Sequence, residues 1–161
     1  MKKFALFFAF VLTSSFLFGQ ASPHVSAESA NVKVTYGQPS KKGRVIFGGL
    51  EKFGTVWRTG ADAATEITFK KDVTFGGKAV KAGTYTLFSK LGEKEWTIIL
   101  NSELKQWGSY GYDKIKDKNV AEVTVPVKKL SDVVEKLTIT TDDKTLTISW
   151  DQTSVSVPMK F

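Results

Sequence analysis

Hydrophobic and polar side chains alternate with a period of two along most of this 161-residue chain. In "NVKVTYG", Val32, Val34 and Tyr36 alternate with Lys33 and Thr35. The same alternation recurs in "TEITFK", "TYTLFS", "EWTIILN", "AEVTVPV", "EKLTITT", "KTLTISW" and "SVSVPM". Because successive side chains of a strand point to opposite faces of a sheet, this pattern predicts strands with one buried face and one wet face.

Turn signals separate these strands at intervals of about ten residues. "FGGKAV" predicts a tight hairpin on Gly76 and Gly77, and "KAGT", "LGEKE" and "TDDK" mark further turns. No segment shows a convincing helical period over a useful length. The sequence therefore predicts an all-β fold, a single antiparallel β-sandwich of about eight to ten strands with little helix.

The first 21 residues differ from the rest and predict a cleaved signal peptide. "MKK" is a positively charged start, and "FALFFAFVLTSSFLF" is an apolar run of 15 residues, which is short for a membrane span. Gly19 and Ala21 have the small-x-small spacing that precedes a cleavage site, here before Ser22. Cleavage between Gly19 and Gln20 and a retained membrane anchor are the alternatives.

The β-sandwich domain is then expected to span residues 22–161 and to reside in the periplasm or outside the cell. The chain contains no cysteine, which excludes a lipoprotein anchor, disulfide bonds, thiol chemistry and cysteine-based zinc sites. No second apolar run follows, so no membrane span is expected after cleavage. The lysines are spread over most strands rather than clustered, and with the export signal this argues against a nucleic-acid partner.

Two segments break the strand pattern and are rich in glycine, aromatic and charged residues. We call Gly37–Ala64 the first stretch and Asn101–Asn119 the second stretch. Long irregular segments in a compact domain usually carry function or are mobile. We therefore expect any functional site to lie in these two stretches.

Segments spread over the whole predicted domain resemble one family. They are "KGRVIFGGL", "VWRTGADAAT", "KAGTYTLFS", "EWTIILN", "QWGSYGYD" and "SWDQTSVSVP". In them the chain resembles the secreted bacterial proteins grouped as domain-of-unknown-function family 2911. The resemblance implies an exported all-β domain, and it implies no activity.

Several common catalytic chemistries lack the residues that they need. His24 is the only histidine, and it stands beside Pro23 at the start of the predicted mature chain, where a frayed terminus would not hold a catalytic imidazole. Zinc sites need several histidine or cysteine ligands, and the chain has one histidine and no cysteine. "GGLEKFG" does not match a phosphate-binding loop, and its glycines fit tight turns instead.

Carboxylates offer the remaining routes to catalysis or metal binding. A glycosidase-like hydrolase would need two of Glu51, Asp62, Glu66 and Asp113 to face each other in a cleft. "YDKIKDKN" and "TTDDKT" each hold two acids, as a calcium site would, but lysines crowd the first segment and the second reads as a hairpin turn. No metal or other cofactor is expected.

The motif "VWRTGADAAT" combines features of a ligand-binding face. A guanidinium binds carboxylates through two parallel hydrogen bonds, and a neighbouring indole offers a stacking surface. "QWGSYGY" would add further flat aromatic surfaces. The candidate ligand-binding residues are Arg44, Trp57, Arg58, Asp62, Trp107, Tyr110 and Tyr112. The structural alternative is that Trp57 fills the core, that Arg58 ties two loops together and that Asp62 pairs with Arg58 or caps the turn.

The leading functional hypothesis is a non-catalytic binding module for a polar ligand of the cell envelope, either a glycan, a peptide or a small molecule. The first alternative is a structural or protein-interaction domain without a pocket, which would bind partners by edge-strand addition. The second alternative is the carboxylate-based hydrolase. The sequence does not determine the ligand or the oligomeric state.

Overall fold

The computed structural model describes residues 21–161, so the predicted signal peptide, apart from Ala21, lies outside the described residues. The described residues form eleven strands: β1 (His24–Glu28), β2 (Val32–Gly37), β3 (Val56–Trp57), β4 (Thr65–Phe69), β5 (Val73–Phe75), β6 (Lys78–Val80), β7 (Gly83–Lys90), β8 (Glu95–Asn101), β9 (Asn119–Pro126), β10 (Lys128–Thr141) and β11 (Thr145–Lys160). Two short 3₁₀ helices, Tyr112–Lys114 and Lys116–Lys118, precede β9.

The strands form two antiparallel sheets that pack face to face. The larger sheet has the order β1-β2-β4-β7-β8-β9, with β3 paired to the end of β7, and the smaller has the order β10-β11-β5-β6. The predicted all-β sandwich with little helix is confirmed. The strand number is slightly above the expected eight to ten, because strands such as β3 are too short to show alternation in the sequence.

The core between the sheets is built from the inward side chains of the alternating pattern. It includes a group of four aromatic rings, which we call the aromatic core: Phe47, Trp57, Trp96 and Trp150. The rings of Trp57 and Trp150 stack with their centroids 6.0 Å apart. Such aromatic pairs add about 0.5–1.5 kcal/mol each to the stabilisation from burial alone.

The outer face of the larger sheet carries a smaller apolar cluster. Phe88 of β7 and Ile99 of β8 are buried there, and Tyr112 and Ile115 of the second stretch pack against them. The rings of Phe88 and Tyr112 meet edge to face at 5.2 Å. The second stretch therefore folds back over the outer face of its own sheet instead of entering the core.

Among residues 21–161, no helix has the length and apolar character that crossing a membrane requires.

Candidate functional site

The turn between β3 and β4 meets the second stretch, and together they form what we call the corner, residues 58–64 and 104–110. Two backbone hydrogen bonds join the halves, from the amide of Ala64 to the carbonyl of Gln106 (2.9 Å) and from the amide of Gly108 to the carbonyl of Asp62 (3.1 Å). Ala63 and Trp107 also form an isolated β-bridge. The corner is thus a fixed junction of the two irregular stretches.

The chain reverses at the corner through strained backbone conformations. Thr59 and Asp62 have φ values of 56° and 63°, which a β-branched residue such as threonine seldom adopts. Thr59 is fully buried, its hydroxyl lies 2.8 Å from that of Ser89, and its carbonyl accepts a bond from the hydroxyl of Thr65. These bonds offset the strain, which typically amounts to about 1–3 kcal/mol per residue.

Gly37 permits a close backbone approach at the same place. A Cβ atom at this position would lie 2.1 Å from the carbonyl oxygen of Ala61. Because that oxygen belongs to the backbone, a side chain at position 37 would push β2 away from the corner.

Arg58 links both halves of the corner. Its Nη1 donates to the carbonyl of Asp62 at 3.1 Å, and its guanidinium carbon lies 5.8 Å from the centre of the Tyr110 ring. The carboxylate of Asp62 does not pair with Arg58; it accepts a bond from the backbone amide of Ser22 at 3.1 Å. Four of the predicted residues, Arg58, Asp62, Trp107 and Tyr110, therefore come together at the corner.

Trp57, the neighbour of Arg58 in the sequence, does not share this surface. It is only 2% exposed, and its indole Nε1 donates to the carbonyl of Gly60 at 3.1 Å. Trp57, the last residue of β3, points into the aromatic core, whereas Arg58, the first residue after β3, contacts Asp62 and Tyr110 at the corner. Trp57 has no face to offer a ligand, and its placement matches the structural alternative.

Arg44 also lies away from the corner. It is exposed, and its guanidinium donates to the carbonyls of Lys41 and Ser40, which closes a local turn. The half-buried carboxyl of Glu51 stands near both arginines. Burial raises the pKa of Glu51 above its ordinary value, and attraction to Arg58 and then Arg44 opposes that rise. Within the described residues, neither arginine forms an ion pair with a carboxylate.

Trp107 and Tyr110 are exposed aromatic residues of the second stretch. Their exposed fractions are 68% and 83%, whereas the other three tryptophans of the chain are 1–2% exposed. Trp107 forms one wall of a cavity of about 310 Å³ on the outer face of the larger sheet, which we call the Trp107 cavity. Its lining also includes His24, Thr35, Ala63, Glu66, Lys105 and Gln106.

Sequence reasoning missed most of these lining residues. His24 was expected to sit at a frayed terminus, but it opens β1 and pairs with Gly37. Glu66 accepts a hydrogen bond from the backbone amide of Lys105 at 3.0 Å, which ties β4 to the second stretch. The alternation placed Glu66 on the wet face of its strand, but no local signal places it beside Trp107.

Tyr112 faces a different cavity. Its side chain lies between Phe88 and a cavity of about 560 Å³, whose polar lining includes Lys90, Thr97, Asp113 and Glu122. Asn119 donates from Nδ2 to the hydroxyl of Tyr112 at 2.7 Å and to the carboxylate of Glu122 at 2.8 Å. Asn101, which is fully buried, donates in turn to Asn119. Tyr112 therefore belongs to a polar network that fastens the second stretch, and it does not line the Trp107 cavity.

The carboxylates proposed for a hydrolase do not converge. Glu66 lines the Trp107 cavity and Asp113 lines the larger one, while Glu51 and Asp62 line neither. The side chain of Asp113 is exposed and lies 3.9 Å from the ammonium of Lys116. The geometry gives no support to paired-carboxylate catalysis. Across residues 21–161, histidine, aspartate and glutamate nowhere gather in a group of three that a metal ion would need.

The family described as "Protein of unknown function (DUF2911)" matches the chain over residues 20–159, nearly the whole of the predicted domain. No curated protein and no solved structure matches the chain.

Proposed function

Since the chain belongs to the DUF2911 family, whose description gives no activity, we propose from the geometry of the corner that it is a non-catalytic binding module. The ligand is a polar molecule with one flat apolar side, for which a sugar ring of an envelope glycan is the best fit. The observation that carries the proposal is the exposed ring of Trp107 on the wall of the 310 Å³ cavity.

An exposed tryptophan is informative in this chain because its other tryptophans are all in the core. A folded protein gains stability by burying such a large apolar ring, so a ring left in water is available for a partner. Tyrosine and tryptophan are enriched at binding surfaces because they combine a large apolar face with a polar edge. Tyr110, which lies on the same segment and contacts Arg58, extends this surface.

The polar groups around Trp107 suit a ligand with several hydroxyl groups. Thr35 and Gln106 each supply both a donor and an acceptor, and Glu66 supplies further acceptor positions. The lining also holds residues of both charges, the carboxylate Glu66 and the lysine Lys105. A lining of mixed charge with one aromatic wall favours a neutral polar ligand over a strongly charged one.

The corner holds these groups in place before any ligand arrives. The two backbone bonds that join its halves and the bond from Arg58 to Asp62 fix the segment on which Trp107 and Tyr110 stand. A fixed site loses less conformational entropy on binding than a flexible loop does. This rigidity supports a role for the corner in recognition.

Export forms part of the same proposal. We propose that residues 1–21 are a signal peptide and that the domain acts in the periplasm or outside the cell, where glycans and peptides of the envelope are found. The charged start and the apolar run described above support this.

The experiment is a fluorescence titration of the processed protein with N-acetylglucosamine oligomers, malto-oligosaccharides and an alanine tripeptide. Because Trp107 is the only exposed one of the four tryptophans, a ligand that covers it should shift the emission to shorter wavelength. Isothermal titration calorimetry, whose signal does not depend on the indole, should show that Trp107→Ala weakens binding at least about 10-fold. Phe161→Ala, which removes an exposed aromatic ring at a different cavity, is the matched control and should bind as the native protein does.

Saccharide binding that calorimetry finds lost in Trp107→Ala and kept in Phe161→Ala supports the proposal. A response to the peptide alone would keep the binding module and replace the glycan by a peptide. No response to any probe, or a response that survives in Trp107→Ala, would overturn the proposed site and favour the interaction-domain alternative.

A further inference from the structure

The backbone nitrogen of Ser22 lies 3.1 Å from Oδ2 of Asp62, across 40 residues of sequence. Asp62 is half-buried, and no lysine or arginine pairs with its carboxylate among the described residues. Arg58 bonds only to the carbonyl oxygen of Asp62. The half-buried carboxylate of Asp62 therefore accepts a hydrogen bond from the backbone amide of Ser22, but among the described residues it has no positively charged partner.

That amide is the group that the predicted processing would change. The favoured cleavage site lies between Ala21 and Ser22. A signal peptidase would hydrolyse the peptide bond with one water molecule, leaving a carboxylate on Ala21 and an α-amine on Ser22. At neutral pH an α-amine with its usual pKa near ~7.7–8.0 is mostly protonated. The donor facing Asp62 would thus gain a positive charge.

We propose that the mature chain begins at Ser22 and that Asp62 is the binding site for its new α-ammonium group. This rests on the export proposed above and not on ligand binding. Cleavage adds a positive charge to the donor of this hydrogen bond, so that the contact between an amide and a carboxylate becomes an ion pair. The cation that the Asp62 carboxylate lacks is supplied by the processed terminus itself.

The surrounding chain places the terminus for this contact. The carbonyl of Pro23 accepts a bond from the amide of Gln38 at 2.8 Å, and β1 begins at His24. Proline has no backbone N–H, so the nitrogen of Ser22 is the donor available at this end of β1. With the alternative start at Gln20, the nitrogen of Ser22 would remain an uncharged amide, and the ammonium would stand two residues away from Asp62.

The ion pair would tighten the corner. The carbonyl of Asp62 already accepts bonds from Arg58 and from the amide of Gly108, so this one residue contacts both halves of the corner. His24, two residues after the new terminus, lines the Trp107 cavity. Signal-peptide removal would therefore complete one rim of that cavity and fasten it to the segment that carries Trp107.

The first test expresses the full 161-residue chain in a bacterium with an active secretion pathway and measures the intact mass of the exported protein. A mass that corresponds to residues 22–161 is expected. A chain that starts at Gln20, or one that keeps residues 1–21, would overturn the proposal whether or not the protein binds a saccharide.

The second test is a double-variant cycle on two forms of the domain, released from a cleavable fusion so that they begin at Ser22 or at Gln20. Asp62→Asn removes the carboxylate charge, and asparagine tolerates the positive φ of this position. In the Ser22 form, the variant should lower the melting temperature by about 2–4 °C. In the Gln20 form, the fall should be smaller than about 1 °C. Equal falls in both forms, or no fall in either, would show that Asp62 does not bind the terminal ammonium.

Discussion

The two irregular stretches of the chain have similar compositions but opposite places in the fold. The first stretch sends Ile46, Phe47 and Trp57 into the space between the sheets. The second stretch lies on the outer face of the larger sheet, where Tyr112 covers Phe88 while Trp107 remains in water. One stretch helps to build the core, and the other displays the candidate site.

The difference follows from which sheets the backbone hydrogen bonds connect to each stretch. Residues 39–41 of the first stretch bond to β10, because Leu137 donates to the carbonyl of Pro39 and Lys41 donates to that of Glu135. Its strand β3 pairs with β7, so the first stretch is bonded to the smaller sheet at one end and to the larger sheet at the other, and it closes the end of the sandwich. The second stretch bonds to itself and to the turn before β4, which belong to the larger sheet or its outer face. A stretch that is bonded to both sheets places its aromatic residues between them, whereas a stretch bonded to one sheet leaves them on its outer face.

Trp57→Ala should give the largest effect on stability. It removes a fully packed ring that stacks on Trp150 and opens a cavity, which should lower the free energy of unfolding by about 3–5 kcal/mol. Trp107→Ala, the same substitution in the second stretch, should change it by less than about 0.5 kcal/mol. Urea denaturation of both variants measures the contrast, and similar losses would contradict the assignment of core and surface.

Asn101→Ala should give the next largest effect, because it releases the second stretch from its sheet. Nδ2 of Asn101 donates to the carbonyl of Ile115 at 2.7 Å and to Oδ1 of Asn119 at 2.8 Å, and its Oδ1 accepts from the amide of Glu103. Leaving buried groups unpaired costs about 1–3 kcal/mol. Ser102→Ala, at the neighbouring exposed position, is the control and should cost less than about 0.5 kcal/mol.

Amide hydrogen exchange gives this prediction a second readout. In Asn101→Ala, exchange should accelerate within residues 101–119 and remain slow in β4 and β7, which the second stretch only covers. Uniform acceleration over the whole domain would mean that Asn101 supports the core rather than the second stretch.

Arg58→Ala should give an intermediate effect of about 1–2 kcal/mol. The variant loses one charged hydrogen bond to the carbonyl of Asp62 and the contact with the Tyr110 ring. A loss of about 3–5 kcal/mol would require a buried ion pair, and Arg58 has none within the described residues. Thermal melts of Arg58→Ala and Arg58→Lys measure the effect, and lysine should recover little because it lacks the planar guanidinium.

The sequence predicted those parts of the fold that depend on local patterns. The hairpin at Gly76 and Gly77 is confirmed: both residues have positive φ, and they join β5 to β6 directly. The alternating residues of β2, β4, β8 and β9 are buried on the expected face. Period and turn chemistry act over only a few residues, so one sequence is enough to recognise them.

The candidate site was only partly predictable, because its parts meet through long-range contacts. β3 has two residues, too few to show which side of the sheet Trp57 would take. His24 and Glu66 line the cavity beside Trp107 although they are 83 and 41 residues away from it in the chain. Pairing of β1 with β2 and of Glu66 with the backbone of Lys105 brings them there, and no local pattern encodes either contact.

Glu51→Gln should give the smallest effect, visible mainly as a change with pH. Burial raises the pKa of Glu51 above 4.5, so the folded state holds the proton more tightly than the unfolded state does. Stability should then decline as pH rises from below 4.5 through the raised pKa, and the loss should persist at neutral pH. Urea denaturation at several pH values should therefore show the native protein losing stability relative to Glu51→Gln across this window.

Removing Arg58 provides a sharper test of the pH dependence that Glu51 causes. Its attraction to Glu51 offsets part of the cost of burying the carboxylate, and it is the larger of the two arginine contributions. In the Arg58→Ala variant the ionised carboxylate of Glu51 loses this attraction. The stability of Arg58→Ala, measured relative to the double variant Arg58→Ala/Glu51→Gln, should therefore decline more steeply with rising pH. An unchanged slope would mean that solvent screens the charges of Arg58 and Glu51 from each other. That result would leave the role of Arg58 entirely at the corner, with Asp62 and Tyr110.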